Sequence, residues 1–333
     1  MEKKVTLALY RELKRLSPRS TVSLLSLDMP GELRKQGLPE IRWRETHFSF
    51  LSFWLSLFKT LWRRRRWREE CILVSHSPLW LLPLFLLTGK KTIFVHLVRA
   101  WQTPLSLFPL LLLRYCAQVV FSNDSEVVKK LRRRNLPVYF AGNVLVDVLT
   151  PGDFTFSCGG KSIFSFFPRF LSLGEDLSFL LAVAEEINAR YAGYFLLVIP
   201  KGIAVQTVQE EAEKNGWRWR RSLEGEIVEG YLCKNRVYMN VTPFYAEALK
   251  QGDFIVSFDF VRIVQAAGLG KKVIPLISSS PREVALLLAN PTYLFEYNLG
   301  LSHRFGEKGG IQRMVVFLLW GVVEDQRFSL KGV

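Results

Sequence analysis

The stretch Asp253 to Ile277, DFIVSFDFVRIVQAAGLGKKVIPLI, restricts the fold more than any other part of the chain. Phe254, Ile255 and Val256 form an apolar run of the length of a buried strand. Phe260, Val261, Val264 and Ala267 follow at spacings that share one helical face. Gly268-Leu269-Gly270 stops that helix, because glycine takes the left-handed backbone shape that ends helices. A second apolar run, Val273-Ile274-Pro275-Leu276, comes directly after. Strand, helix and strand in this order make the unit of a parallel α/β sheet, since parallel neighbours need a crossover. Ligands of such sheets lie at the carboxyl ends of strands, which singles out Ser257 to Asp259 and Ile277 to Ser280.

The same alternation runs through the rest of the 333 residues, a length that suits two domains. Strands are expected at Thr21–Leu27, Cys71–Val74, Thr92–Val95, Gln118–Phe121 and Val138–Phe140 in the first half. Thr150-Pro151-Gly152-Asp153 and Cys158-Gly159-Gly160-Lys161 read as an interdomain linker. A second series restarts with a strand at Ile163–Phe167, a helix from about Asp176 to Arg190 and a strand at Phe195–Ile199. A helix at Gln206–Asn215 ending at Gly216 and a strand at Arg236–Met239 follow. The expected architecture is therefore α/β, with a domain over 1–150, a second over 151–309 and an apolar tail helix within 310–333. The chain opens on an amphipathic helix, Val5 to Leu16, with Leu9, Leu13 and Leu16 on one face. A Rossmann-like domain ordinarily opens on a strand and a glycine-rich turn, so these are expected upstream of Met1; a natural helical start is the alternative.

Charge narrows the partners. The formal net charge is +15 and the pI about 9.8, which favours an anionic partner: nucleic acid, an anionic membrane or a phosphorylated substrate. Cys71, Cys116, Cys158 and Cys233 are far apart without C-x-x-C spacing, which argues against structural zinc or a disulfide framework and for a reducing cytosol. The first residues are charged and helix-forming, unlike a signal peptide, and no uninterrupted apolar run reaches spanning length. No metal constellation, P-loop or G-x-S-x-G elbow is found.

Phe48 to Arg68, FSFLSFWLSLFKTLWRRRRWR, combines apolar bulk, tryptophans and a run of arginines. An interfacial helix uses these parts: Phe53, Trp54 and Trp62 among acyl chains and at the boundary, Arg63, Arg64, Arg65 and Arg66 on lipid phosphates. The bland alternative is a helix packed on the sheet with solvated arginines. A nucleic-acid reading is weaker, because no recognition motif accompanies the basic run. The reading is of a protein peripheral on the cytoplasmic face of a membrane, with no nucleic-acid partner.

Two stretches carry a family resemblance. AAGLGKKVIPL resembles the donor-domain helix and strand of GT-B nucleotide-sugar glycosyltransferases, and VVFSNDSEVVKKLRRRNLPVYFAGNVLVDVL resembles the end of the first domain of the lipid-A-disaccharide synthase family. There a Gly-Asn/His-Pro-x-x-Asp motif leads into the second domain; here it stands as Gly142-Asn143-Val144-Leu145-Val146-Asp147, with Val for Pro. The resemblance implies two Rossmann-like domains facing across a cleft, the last helix crossing back onto the first. It implies transfer of a sugar from a nucleotide-diphosphate donor, such as a UDP-sugar, to a lipid or phosphorylated acceptor, with no bound cofactor. A non-catalytic relative and a sugar-nucleotide epimerase on the same fold are the alternatives.

Against the family's Gly-Thr-Ala-Thr-Glu-Gln the chain offers Phe260-Val261-Arg262-Ile263-Val264-Gln265, retaining only Gln265. Arg262 is then the donor-phosphate candidate, beside Ser257. At Phe167-Pro168-Arg169-Phe170 the family's Pro-Gly-Ser-Arg is reduced to Pro168, with Arg169 a shifted phosphate candidate and Glu175 matching a nearby Glu. Thr242 and Phe244 fall where GT-B proteins bind the nucleotide base. His76 and His96 follow first-domain strands, where an imidazole can act as base near neutral pH, and each is otherwise a hydrogen-bonded structural histidine. Arg99 stands close to His96 as an acceptor-phosphate candidate.

Overall fold

The computed structural model describes residues 2–17, 72–75, 77–98, 106–199, 202–222, 228–276 and 280–320. The expected strand Thr21–Leu27 and the stretch Phe48 to Arg68 lie outside them, as do His76 and Arg99. The chain divides into two compact units, one of Met1–Val148 with Gly309–Val333 and one of Leu149–Lys308.

The first unit opens on helix α1 (Glu2–Leu16), whose Val5, Leu9 and Leu13 are buried while Glu12 and Arg15 pair along its outer side. Then come β1 (Ile72–Ser75), a 3₁₀ turn at Pro78–Trp80, α2 (Leu81–Thr88), β2 (Thr92–His96), α3 (Leu107–Cys116) and β3 (Ala117–Ser122). The series continues through α4 (Ser125–Arg132), β4 (Val138–Phe140) and the short α5 (Val144–Asp147). The four strands pair in parallel in the order β1-β2-β3-β4. Each crossover carries a helix or turn back, as parallel pairing demands. Phe94 and Val120 of the sheet are buried against Leu81, Leu113, Val128 and Leu131 of the helices.

The second unit is larger. It runs through β5 (Ser162–Phe167), α6 (Leu173–Asn188), β6 (Gly193–Val198), α7 (Val205–Lys214), β7 (Arg218–Arg221), β8 (Gly230–Lys234) and β9 (Val237–Thr242). It finishes with α8 (Tyr245–Gln251), β10 (Phe254–Ser257), α9 (Phe260–Gly268), β11 (Lys272–Ile274), α10 (Pro281–Leu286) and α11 (Pro291–Phe305). The sheet order is β11-β10-β5-β6-β9-β8-β7. β7 and β8 pair antiparallel, extending an otherwise parallel sheet. Phe164, Phe195 and Phe254 stack on one face of it, and Leu177, Leu180 and Leu181 of α6 are fully buried in the core. The edge strand β11 is closed by Asn298, whose amide accepts from Val273 N (2.7 Å) and donates to Val273 O (3.1 Å); an uncovered parallel edge would invite pairing with another chain.

The chain then returns to the first unit as α12 (Gly310–Trp320), which packs on α1 and α5. Several boundaries differ from the sequence reading. α6 starts at Leu173 rather than Asp176. The β7–β8 extension was not anticipated, because Arg218-Trp219-Arg220-Arg221 is mostly exposed and shows no apolar alternation. α9 ends as expected: Gly270 has φ +68°, Lys271 N donates to Ala266 O and Gly270 N to Ala267 O, which is the paired bonding of a glycine-terminated helix.

Candidate functional site

In the second unit the carboxyl ends of β5, β9 and β10 bring three loops together. Ser257 ends β10, is buried, accepts from Asp259 N (2.9 Å) and donates to Phe167 O (3.1 Å) at the end of β5. Its hydroxyl therefore builds the loop before α9. Helix α9 begins at Phe260, with Asp259 as its N-cap. The Asp259 carboxylate accepts from Val261 N (2.9 Å), and Arg262 Nε lies 3.6 Å from its other oxygen. A helix N-terminus is where an anion is favoured. Here the chain supplies that anion itself.

Arg262 is committed further. Its guanidinium lies 4.2 Å over the Tyr245 ring and donates from Nη1 to Gln265 Oε1 (2.8 Å). Gln265, retained from the resembled motif, is buried. Arg262 thus joins the start of α8 to that of α9, with part of its side chain in solvent. Arg169, after β5, is held by Asp176 on α6. Asp176 is buried, and its carboxylate takes Arg169 N (2.8 Å), Nε (3.0 Å) and Nη2 (2.7 Å). This pairing raises the Arg169 pKa further above its already high value, chiefly through the hydrogen bonds to Asp176. The same guanidinium lies 5.2 Å from the Phe258 ring centroid. The carboxylate that answers Arg169 is therefore Asp176, next to the Glu175 matched to the family's Glu. Arg169, beside Phe258, and Arg262, in the first turn of α9, are each already answered by a carboxylate, Asp176 and Asp259.

At the end of β9, Thr242 is buried and accepts from Phe244 N (3.3 Å) through its hydroxyl. Phe244 is 40% exposed and meets Phe154 edge-on at 4.9 Å. Phe244 leaves a free aromatic surface; Thr242 shapes the turn beneath it. Glu247 on α8 accepts from Gly152 N (2.6 Å) and fixes the chain leading into the unit. Sequence reasoning missed Tyr245 and Asp176 as members of this group, whereas Asp259 falls in the Ser257 to Asp259 segment that it singled out. Asp259 also carries a second signal, as an N-cap residue type directly before an apolar-periodic helix.

In the first unit His96 ends β2, buried, with its ring 5.9 Å from that of Phe94. It pairs in register with Ser122, and Ser75 pairs in register with it. Beside it Asn123, also buried, accepts from Val98 N (2.9 Å), while its amide nitrogen has no protein partner among the described residues. Asp124 caps α4 through Glu126 N (2.9 Å) and Val127 N (3.4 Å). His76 and Arg99, the other first-unit candidates, lie outside the described residues, as do Phe53, Trp54, Trp62 and Arg63 to Arg66. No cluster of three or more His, Cys, Asp or Glu able to hold a metal occurs among the described residues. No helix among them is long and apolar enough to cross a membrane.

Solved structures of known proteins match this architecture over nearly its whole length. A candidate UDP-N-acetylglucosamine 2-epimerase from Listeria monocytogenes superposes with TM-score 0.64 at 13% identity, covering 95% of this chain and 93% of that one. The UDP-GlcNAc 2-epimerase of Neisseria meningitidis, solved bound to UDP-GlcNAc, gives 0.59 at 13% identity over 95% and 96%. A glycosyltransferase from Rickettsia africae gives 0.59 at 12% identity over 96% and 95%. No family model and no curated protein sequence matches the chain. The fold is the GT-B-like α/β arrangement of two Rossmann-like domains.

Proposed function

We propose that this chain is a GT-B-type nucleotide-sugar enzyme. The observation that carries this reading is the two-sheet fold shared over nearly the full chain with a structure bound to UDP-GlcNAc. The second unit takes the nucleotide sugar. Phe244 offers its exposed face to the base, and Thr242 holds the turn that positions it. Arg262 and Arg169 supply positive charge for the diphosphate, and Ser257 fixes the loop whose backbone faces it. Charge-assisted bonds from guanidinium to phosphate are stronger than neutral ones.

Two chemistries fit this frame. In the transferase reading, kept from the resemblance to lipid-A-disaccharide synthases, an acceptor hydroxyl attacks the sugar C1. The C1–O bond to the nucleoside diphosphate breaks, and the acceptor proton passes to a base, His76 or His96. Arg99 holds a phosphate of the acceptor, which is a lipid or phosphorylated sugar met at the cytoplasmic membrane surface through Trp54, Trp62 and Arg63 to Arg66. In the epimerase reading, favoured by the Listeria and Neisseria likenesses, C2 of the sugar is inverted and no acceptor is needed. A chain that keeps the fold without turnover is the remaining alternative, and Asp259 at the α9 N-terminus supports it.

Calorimetric titration with UDP and UDP-GlcNAc tests the binding. Proton NMR of UDP-GlcNAc with the enzyme then separates the chemistries. Inversion at C2 without added acceptor assigns the epimerase, and UDP release only with a lipid or phosphorylated acceptor assigns the transferase. Absence of binding at millimolar ligand rejects the nucleotide-sugar reading.

A further inference from the structure

The first unit carries two helices whose composition and exposure disagree. α3 reads LFPLLLLRYC and α2 reads LLPLFLLT, so α2 is apolar almost all round and α3 nearly so. Helices of that kind are normally enclosed. These two are enclosed on one side only. Leu81, Leu110 and Leu113 lie in the core, whereas Leu82 and Leu86 of α2 and Leu107, Phe108 and Leu111 of α3 are exposed. Leu86 and Leu107 each stand 72% open to solvent. Leu79, in the turn before α2, is half exposed and continues the same helical spacing as Leu82 and Leu86. The two helices pack on each other, so their open sides belong to one region of the surface.

The charge along this part of the sequence has one sign. Between Glu70 and Asp124 the sequence contains Lys90, Lys91, Arg99 and Arg114 and no acidic residue. Lys90 and Lys91, just past the end of α2, are exposed, and so is Arg114 on α3. We infer that the open sides of α2 and α3 form a membrane-insertion surface that seats on anionic lipid. The leucines and Phe108 enter the acyl region, and Lys90, Lys91 and Arg114 meet the headgroup phosphates. The basic residues decide the partner: Lys90, Lys91 and Arg114 are exposed on or just past the same helices, which matches anionic headgroups over acyl chains. A second copy would bring like charge against like. This inference deepens the membrane part of the proposed function and takes from it only the choice of an anionic lipid. It adds the open sides of α2 and α3 to the contact proposed for Trp54, Trp62 and Arg63 to Arg66.

Co-sedimentation of the full chain with phosphatidylcholine vesicles, with and without phosphatidylglycerol, tests it. The expected result is binding that needs phosphatidylglycerol and falls about tenfold or more in L86D/F108D, whose near-ultraviolet circular dichroism stays unchanged because both side chains are exposed. K90S/K91S/R114S weakens the same binding in a salt-dependent way. Wild-type binding that L86D/F108D retains overturns the assignment while leaving the membrane reading intact, and a parallel loss in Arg63–Arg66→Ser then moves the contact to that stretch. No binding by the wild type rejects both. A concentration-dependent dimer that L86D/F108D dissociates overturns the lipid assignment in favour of a second copy.

Discussion

Asp147 and Gly309 stand 162 residues apart in sequence, yet the Asp147 carboxylate accepts the Gly309 amide at 2.6 Å. Its second oxygen takes the Ile311 amide at 2.8 Å. The aspartate of the Gly142–Asp147 motif is thus the cap of the returning helix α12, supplying the acceptors that a helix N-terminus lacks. Arg313 on that helix donates from Nε to Ala141 O (3.2 Å) and lies against Gly142, whose φ is +84°. A motif that introduces the second domain by sequence serves in the structure to bind the end of the chain to the first.

Replacing Asp147 by Ala should therefore loosen α12. Two charge-assisted bonds to backbone amides are lost, and the expected loss is about 1–3 kcal/mol of stability in urea denaturation. Amide exchange over Gly310–Trp320 should accelerate in the same variant. G142A should destabilise independently, by about 1 kcal/mol or more, since the new Cβ meets the Arg313 guanidinium at a backbone angle that only glycine adopts freely. An unchanged urea midpoint in D147A contradicts this assignment.

The strand-helix-strand series was legible because a buried parallel strand must be apolar throughout. Ile255–Val256 and Val273–Ile274 are fully buried on both faces, and the sequence shows it. The α9 terminus was legible because Gly268-Leu269-Gly270 supplies a residue for positive φ. The site was less so. Arg169 and Asp176 are seven residues apart, and no period or motif announces a pair whose meeting depends on how the β5 loop turns onto α6. Asp147 resembled a domain-entry signature, and only the fold reveals that its partner amides lie at the other end of the chain. The β7 strand was invisible because an exposed edge strand needs no apolar alternation.

The Arg169–Asp176 pair should prove structural before it proves catalytic. Asp176 is buried and accepts three donors from a single residue. D176N keeps the size but weakens all three bonds, with an expected loss of about 2 kcal/mol, smaller than for a fully enclosed pair because Arg169 is about half exposed. R169K should lose the two-pronged geometry and recover little of it. Thermal denaturation of both variants is the measurement. Full stability in each with UDP binding abolished in R169K would instead make Arg169 a ligand-contacting residue alone.

Tyr297 on α11 gives a pH prediction. Burial pushes its phenol up to about 12, with the neighbouring Tyr293 adding to the effect. In the unfolded chain the same phenol ionises near 10. Between these values the unfolded state has released the proton and the folded state has not, so stability falls as pH rises from about 10 to 12. Below pH 10 the contribution is fully present. Its size is about 1–2 kcal/mol, less than the full shift implies because the ring is not wholly enclosed. Y297F should flatten this alkaline loss, measured by denaturation at several pH values above 9. A variant that loses stability over that range as steeply as the wild type rules the assignment out.

The last prediction concerns the α9 N-terminus. A diphosphate placed there meets Asp259, whose carboxylate already holds Val261 N and stands beside Arg262. Arg169 is likewise balanced by Asp176. An incoming dianion must displace or repel an internal anion, and the bulky Phe258 and Phe260 flank the same turn. D259S keeps a hydroxyl able to cap the helix while removing the charge, so helix stability should change by less than about 1 kcal/mol. Pyrophosphate should then raise the melting temperature of D259S more than that of the wild type. At tenfold over its Kd such a ligand contributes about 1.4 kcal/mol. D259E, which restores the charge, should respond like the wild type. Using pyrophosphate keeps this test separate from the nucleotide reading: UDP binding no better than pyrophosphate counts against a base subsite at Phe244, whereas equal pyrophosphate responses in wild type and D259S remove Asp259 as the obstructing anion. If D259S binds the more tightly, the Asp259 carboxylate competes with phosphate for the α9 N-terminus.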